Sequence, residues 1–366
     1  MKASRQILAL ILFAAISSCE ELDDVIRKEE FKVDFQIMGE DGVSPDVQGV
    51  YVLNNGNWGA NDANVGIYDY ASKMYEPKVF RSVNEMNLGD LAQDVIEIED
   101  RVYLAVYGSR TIFSTDRGLR LKTRINAQNG ELALSPRSFA TDGELLYVTY
   151  YEGYVFEIDA LHQEFRAVEV GSSPEGLAVA GDCLYVANSG GALYPDYGNT
   201  VSVVSLENFA ERRLIEVNPN PIKVEASSDG AYVYVSSYGD YGANPAKLQV
   251  IATSTGGVSD VAYQSVSSIC SDRDVLYILC GGYDENWNPL PSTVYKHDMK
   301  TNLPLGTFVA DDTVLANAYS ISVARDGNIY VGCSDYVTNG DVYVFTPDGK
   351  LYDKFDSQGL NPLKVY

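Results

Sequence analysis

The sequence predicts an all-β chain, a seven-bladed β-propeller closed by pairing of the C-terminal strand with the N-terminal blade. Three observations carry this. First, a tyrosine followed by an apolar residue marks seven strand-like segments, at Tyr51, Tyr103, Tyr147, Tyr185, Tyr234, Tyr277 and Tyr330, spaced 38 to 53 residues apart. That is the period of propeller blades, small sheets that bury their faces against their neighbours. Second, Asp-Gly turns at 142–143, 229–230 and 326–327 stand just before three of these segments, the local signal of a hairpin. Third, the chain ends on Asn361-Pro362-Leu363-Lys364-Val365-Tyr366, which echoes Asn220-Pro221-Ile222-Lys223-Val224-Glu225 and stops before its turn. The N-terminal module starts on the matching Tyr51 strand and lacks that first strand. The C-terminus therefore supplies it, and closure removes the open edge. Two stacked sandwiches would give neither the regular spacing nor the split repeat.

In chain order, Lys2 and Arg5 precede an apolar run, Ile7 to Ile16, too short to span a bilayer as a helix. Ser17 and Ser18 then lead to Cys19. This is the layout of a lipoprotein signal peptide over residues 1–18, with Cys19 as the lipidated residue. The acidic run after Cys19 opens a solvated tether, expected over 19–44, and the propeller is expected over 45–366. Within each unit a strand, a short turn, the tyrosine strand, a longer loop and a third strand follow one another. In the third strand "GYVFEIDA", Val155, Glu157 and Asp159 share one face, and Phe156 and Ile158 the other.

The formal charge is −24, and removal of residues 1–18 takes away two cations and no acid. A chain this acidic repels nucleic acid, whose binding depends on lysine and arginine neutralising phosphates. It also repels an anionic membrane surface, so contact with a membrane is expected only through the lipid anchor. Cys183, Cys270, Cys280 and Cys333 form no CxxC pair and are read as small buried hydrophobes, with a Cys270–Cys280 disulfide left open.

Loops between second and third strands gather on one face of a propeller. Here they are the long ones, and they carry Asn57, Trp58, Tyr107, Tyr150, Tyr151, Tyr194, Tyr197, Tyr238, Tyr241, Tyr283, Trp287 and Tyr336. The turns of the opposite face are short and without aromatic residues. Tyrosine and tryptophan offer large contact area at low entropic cost, and asparagine adds uncharged donors and acceptors. Aromatic residues gathered on one face point to a ligand site. Trp58, in a connection longer than a hairpin needs, reads as a ligand anchor. The first residues of the inner strands, Gln93, Arg137, Glu175, Tyr319 and Asn361, are expected at the channel mouth.

Little points to catalysis. His162 and His297 are the two histidines, both placed away from that face and read as surface residues. No GxSxG, HExxH, Walker or EF-hand spacing occurs. One chemical option is a carboxylate pair, Asp62 with Asp240 or Asp284, meeting across the channel as acid and base or as a cation site. No metal site, catalytic residue or cofactor is otherwise expected.

The blade grammar resembles the YncE-like seven-bladed propellers over nearly all of the mature chain. Residues 50–70, "VYVLNNGNWGANDANVGIYDY", followed by 83–95, "VNEMNLGDLAQDV", resemble a subgroup of surface lipoproteins of the Bacteroidetes. Asn55 stands where that subgroup often has glutamate. The acidic Glu20-Glu21-Leu22-Asp23-Asp24 is similar to the signal that sends such lipoproteins to the outer cell surface. The subgroup includes the BtuG-type proteins, and the resemblance implies capture of cobalamin (vitamin B12) or a related corrinoid as a transported ligand. It also implies hand-off to a TonB-dependent outer-membrane transporter by a lipid-anchored protein exposed on the outer membrane. Two other functions fit the residues: a glycan-binding surface propeller and a lactonase-like propeller enzyme.

Overall fold

The computed structural model describes residues 31–40, 42–283 and 289–366. Seven antiparallel sheets form the seven blades. The inner strands are Pro362–Val365, Ala92–Ile98, Pro136–Thr141, Pro174–Ala180, Pro221–Ala226, Val266–Asp272 and Ala318–Val323, naming the blades one to seven in chain order. Each packs against the next around the axis, and the seventh packs against the first.

Closure is as expected. Pro362–Val365 pairs with Val50–Asn54, matching Val52 to Val365 and Leu53 to Lys364. Tyr51 and Tyr366 exchange backbone hydrogen bonds at 2.9 and 3.0 Å. The repeated tyrosines explain the periodicity physically: each is at most 7 % exposed and fills the space between two blades. Four of the hydroxyls reach turns or carbonyls: Tyr51 donates to the Arg117 carbonyl at 2.8 Å, Tyr147 to Asp142 at 2.9 Å, Tyr234 to the Met299 carbonyl at 3.1 Å and Tyr330 to Asp326 at 2.6 Å. These buried phenols thus find the partner that burial demands.

Three expectations are corrected, and the disulfide question left open is answered in favour of free cysteines. Phe31–Ile37 is not tether but a fifth strand, antiparallel to Leu121–Asn129 on the outside of blade two. Its period-2 pattern turns Phe31, Val33 and Phe35 onto the blade, and the Phe31 ring meets Tyr154 at 5.1 Å and Phe156 at 5.4 Å. His297 is not a surface residue. It is 2 % exposed, between the rings of Tyr234 and Tyr263, with its ring nitrogens against Asn302 at 2.9 Å and Tyr263 at 3.3 Å. The four cysteines of the propeller are free, so the Cys270–Cys280 bridge is not formed. The connection expected over 281–292 is partly strand, with Tyr283 ending one strand opposite Pro289 at the start of the next. A six-residue helix, Val79–Asn84, also joins blades one and two and buries Val79 and Phe80.

Deleting residues 361–366 should open the ring and expose Val52 and Leu53. We expect a loss of at least about 4 kcal/mol and of the single cooperative transition, read by thermal melting. Burial holds the His297 imidazole below its ordinary value, so the unfolded chain binds more protons over the interval between the two values. The stability it supports is complete above about pH 6.5 and falls as pH drops through the folded value. In denaturant titrations from pH 7.5 to 5, the difference between wild type and His297→Gln should shrink as pH falls.

Candidate functional site

One backbone hydrogen bond, made once in each blade, builds the mouth. The residue at the exit of each second strand donates its N–H to the residue before that blade's inner strand. The pairs are Asn55 to Asn361, Tyr107 to Leu91, Tyr151 to Ser135, Ser189 to Ser173, Tyr238 to Asn220, Gly281 to Ser265 and Ser334 to Asn317, all at 2.9–3.1 Å. Six of these seven acceptors hold φ between +50° and +58°. The left-handed kink turns the chain inward. Two residues later every inner strand has a register shift. A bulge re-aims a side chain. The bulged positions include Gln93, Arg137, Glu175, Ile222, Ser267, Tyr319 and Leu363, one in each blade. Gln93, Arg137 and Tyr319 are half-buried there.

The aromatic residues form an arc above these bulges. Trp58 is 72 % exposed, with its ring 6.0 Å from Tyr107. Tyr107 meets Tyr151 edge-on at 5.6 Å. The Arg137 guanidinium lies over both rings, 5.0 Å from Tyr107 and 5.2 Å from Tyr151. Glu175 holds that guanidinium through two bonds, at 2.8 and 2.6 Å. A fork-to-fork pair stacked between aromatic faces is well suited to a partly desolvated place. Farther round, Tyr197 touches Tyr194 at 5.8 Å and Tyr241 at 5.9 Å. Tyr319 meets Tyr336 at 5.6 Å. Burial pushes up the Tyr238 phenol, and the neighbouring Tyr319 and Tyr241 add to the effect. Burial also raises the Tyr107 phenol against the opposing pull of Arg137, and raises Tyr319 to about 12. These phenols stay neutral, as donors and acceptors without charge.

The Trp58 loop is fixed rather than floppy. Asp62 accepts the Asn57 N–H at 2.8 Å, and Asp90 accepts the Gly59 N–H at 2.9 Å. Asn55 is buried and donates to the Ala92 carbonyl at 2.7 Å. Gly56, at φ +79°, has no room for a Cβ, which would meet the Asp62 carboxylate at 2.5 Å.

Not every candidate faces the mouth. Tyr150 is 1 % exposed and packs on Phe156 at 4.9 Å, inside the core between blades two and three. It is the last residue of its strand, and the strand alternation turns it into the blade interface. Asn361 is 4 % exposed and bonded to Gly56 and Ser334, so it builds the mouth without lining it. Asp62 and Asp240 are each committed to their own loops. Asp240 accepts from the Asn244 N–H, the Asn244 side-chain amide and the Gly242 N–H, and these bonds hold its carboxyl below the usual range. Trp287, Asp284 and Cys19 lie outside the described residues. Among the described residues no group of three His, Cys, Asp or Glu side chains is placed to hold a metal ion.

One layer was missed in the sequence. Below the bulges the inner strands bring Lys364, Asp94, Ser138, Gly176, Lys223, Ser268 and Ser320 to one level, as the strand registers show. The signal was there: both lysines are the fourth residue of the repeated "NPIKV" and "NPLKV". A separate cavity of about 340 Å³ lies between blades two and three on the opposite face, beside the exposed ion pair of His162 with Asp159 at 2.7 Å.

No protein-family model and no curated sequence matches the chain. Solved structures do. A "putative 6-phosphogluconolactonase" from Bacteroides uniformis is similar at TM-score 0.60 and 12 % identity, over 87 % of this chain and 99 % of that one. A functionally unknown protein from Desulfotomaculum acetoxidans is similar at TM-score 0.59 and 11 % identity, over 87 % of this chain and 98 % of that one. The computationally designed Ika8 protein is similar at TM-score 0.55 and 13 % identity, over 89 % and 93 %. At these identities the likeness is one of fold. The chain is a seven-bladed β-propeller.

Exposure separates the two kinds of tyrosine and tryptophan here. Trp58→Ala should leave stability within about 0.5 kcal/mol of wild type, whereas Tyr150→Ala should cost about 3–5 kcal/mol, both measured by denaturant titration.

Proposed function

We propose that this propeller is a binding protein, not an enzyme. In this reading it is a lipid-anchored lipoprotein on the outer-membrane surface. It captures cobalamin or a related corrinoid and passes it to a TonB-dependent transporter. The observation that carries the reading is the charge of the mouth. In a chain of net charge −24, the aromatic arc and its floor offer, among the described residues, phenols, the Trp58 indole and an arginine cancelled by Glu175, while the nearby Asp62, Asp240 and Asp335 are bonded within their own loops. Such a surface suits a broad, uncharged body with a rim of amides, held by apolar contact and neutral hydrogen bonds. The resemblance of residues 50–70 and 83–95 to corrinoid-capturing lipoproteins supplies the ligand class.

The strand Phe31–Ile37 supports the anchored orientation. The fourth strand of blade two, Leu121–Asn129, runs back toward the mouth, and Phe31 pairs with Asn129 at its end. The chain preceding Phe31 therefore joins on the mouth side. An anchor at Cys19, twelve residues earlier, favours presenting the mouth to the membrane that carries the transporter.

The rim favours one second reading. Trp58 and Tyr241, 72 % and 70 % exposed, are also fit to stack on sugar rings. Titration with cyanocobalamin decides between them, followed by tryptophan quenching and calorimetry. The corrinoid reading expects one-to-one binding that weakens at least about tenfold in Trp58→Ala and in Tyr107→Ala. Absence of binding at micromolar protein would overturn it and make a glycan array the next measurement.

A further inference from the structure

We propose that the channel layer beneath the aromatic mouth is an oxyanion site centred on Lys223. Its occupant is either a free oxyanion such as phosphate or the anionic group of a ligand seated in the mouth. The layer has two lysines and one acid. Asp94 is fully engaged: it accepts from the Lys364 ammonium and from the Phe139 and Val95 N–H groups, the last two both at 2.8 Å. Lys223 is left over. It is half-buried on the inner strand of blade five, and among the described residues no carboxylate lies within ion-pair distance of it. A cation in so enclosed a place needs a counter-charge, because water no longer screens it fully.

The surroundings fit an anion. Ser268, at the same level on the next inner strand, brings a hydroxyl. On the other side blade four approaches closely. A Cβ on Gly176 would meet the Ile222 carbonyl at 2.6 Å and the Lys223 Cα at 3.0 Å, so the Lys223 backbone is held in place. The nearest acid on its own strand, Glu225, accepts the Ser271 hydroxyl at 2.6 Å. Burial raises the Glu225 carboxyl and the ammonium groups of Lys223 and Lys364 pull it back down, so Glu225 balances Lys223 from a distance and not by contact. Arg137, one layer above, is already neutralised by Glu175. Lys223 thus keeps its ammonium donors free of any carboxylate in contact, among the described residues. Three ammonium N–H donors and a hydroxyl recognise a tetrahedral oxyanion without sequence-like specificity.

The test is calorimetric titration of the mature chain with inorganic phosphate. We expect one phosphate per chain, an at least tenfold loss of affinity in Lys223→Gln and retention in Lys223→Arg. Melting curves of each variant, run alongside, separate loss of the site from loss of the fold. Absence of saturable phosphate binding to wild type would overturn the proposal. So would equal binding by a folded Lys223→Gln. Repeating the titration with cyanocobalamin present identifies the occupant. Displacement of phosphate assigns the site to the phosphodiester of the mouth ligand, and simultaneous binding assigns it to a free oxyanion. The phosphate arm does not depend on cyanocobalamin binding, so this site and the corrinoid reading fail separately.

Discussion

The mouth depends on the backbone bond that ties each second-strand exit to the residue before its inner strand. It is made once per blade at 2.9–3.1 Å. It does two things at once. It satisfies an N–H that would otherwise be orphaned at a strand end, and it forces the inner strand to begin with an inward kink and a bulge. Every blade therefore brings its second-strand exit and its bulge residue to the same end of the axis. A sequence needs only to vary those positions to change what the mouth binds. Here three of the seven exits are tyrosines, and the rest are Asn55, Ser189, Gly281 and Ser334. The tyrosines cluster on blades two, three and five, which gives the mouth an aromatic wall rather than a uniform ring.

Charge is organised by depth. The outer surface carries most of the acid, a charge that repels anionic surfaces. At the mouth the Arg137–Glu175 pair cancels to zero. Such a pair is hard to break because removing either partner leaves a desolvated charge. One layer deeper, Lys364 pairs with Asp94, while Lys223 has buried Glu225 as an electrostatic neighbour and no carboxylate in contact among the described residues. Acid dominates the outside, and along the axis cations and acids occur in equal number, which net composition does not suggest. The few cations that line the axis come from inner strands, whose registers the fold fixes most tightly.

The blade count, the closing strand and the rich face were legible in the sequence because each is a repeat, and repeats announce themselves through spacing. The strand Phe31–Ile37 was not, although its alternation of Phe31, Val33 and Phe35 is as clear as any other. It is an extra strand with no counterpart in the other blades, and the acidic run before it invited a single reading for the whole stretch. His297 was misplaced for a different reason. In a blade both faces of a sheet are covered by neighbours, so a polar residue in a third strand is buried as readily as an apolar one. Its partner, Asn302, lies five residues on, across a turn. Tyr150 and Tyr151 show the limit of composition alone. The two are adjacent and chemically identical, and only the strand ending between them sends one into the core and the other to the mouth.

Both sides of the mouth are built from loops tied to their blades. Trp58, Tyr107, Tyr151 and Arg137 form a connected group whose loops are held by Asp90, Asn55 and Glu175 through bonds to other segments of the chain, and by Asp62 within its own loop. That wall is ordered before any ligand arrives, so little entropy remains to be lost on contact. Opposite it, Tyr194 and Tyr241 stand 73 % and 70 % exposed on long loops. The Tyr241 loop is shaped by local bonds to Asp240 from Gly242 and Asn244, and it is tied to the connection before its inner strand by Gly239 N–H to the Pro219 carbonyl and by Asn218 to the Pro245 carbonyl, both at 3.0 Å. With the loops held on both sides, what stays free are the exposed rings of Trp58, Tyr194 and Tyr241, so in the capture proposed above the ligand would meet side chains already positioned and the entropy lost on contact would be confined to their rotamers.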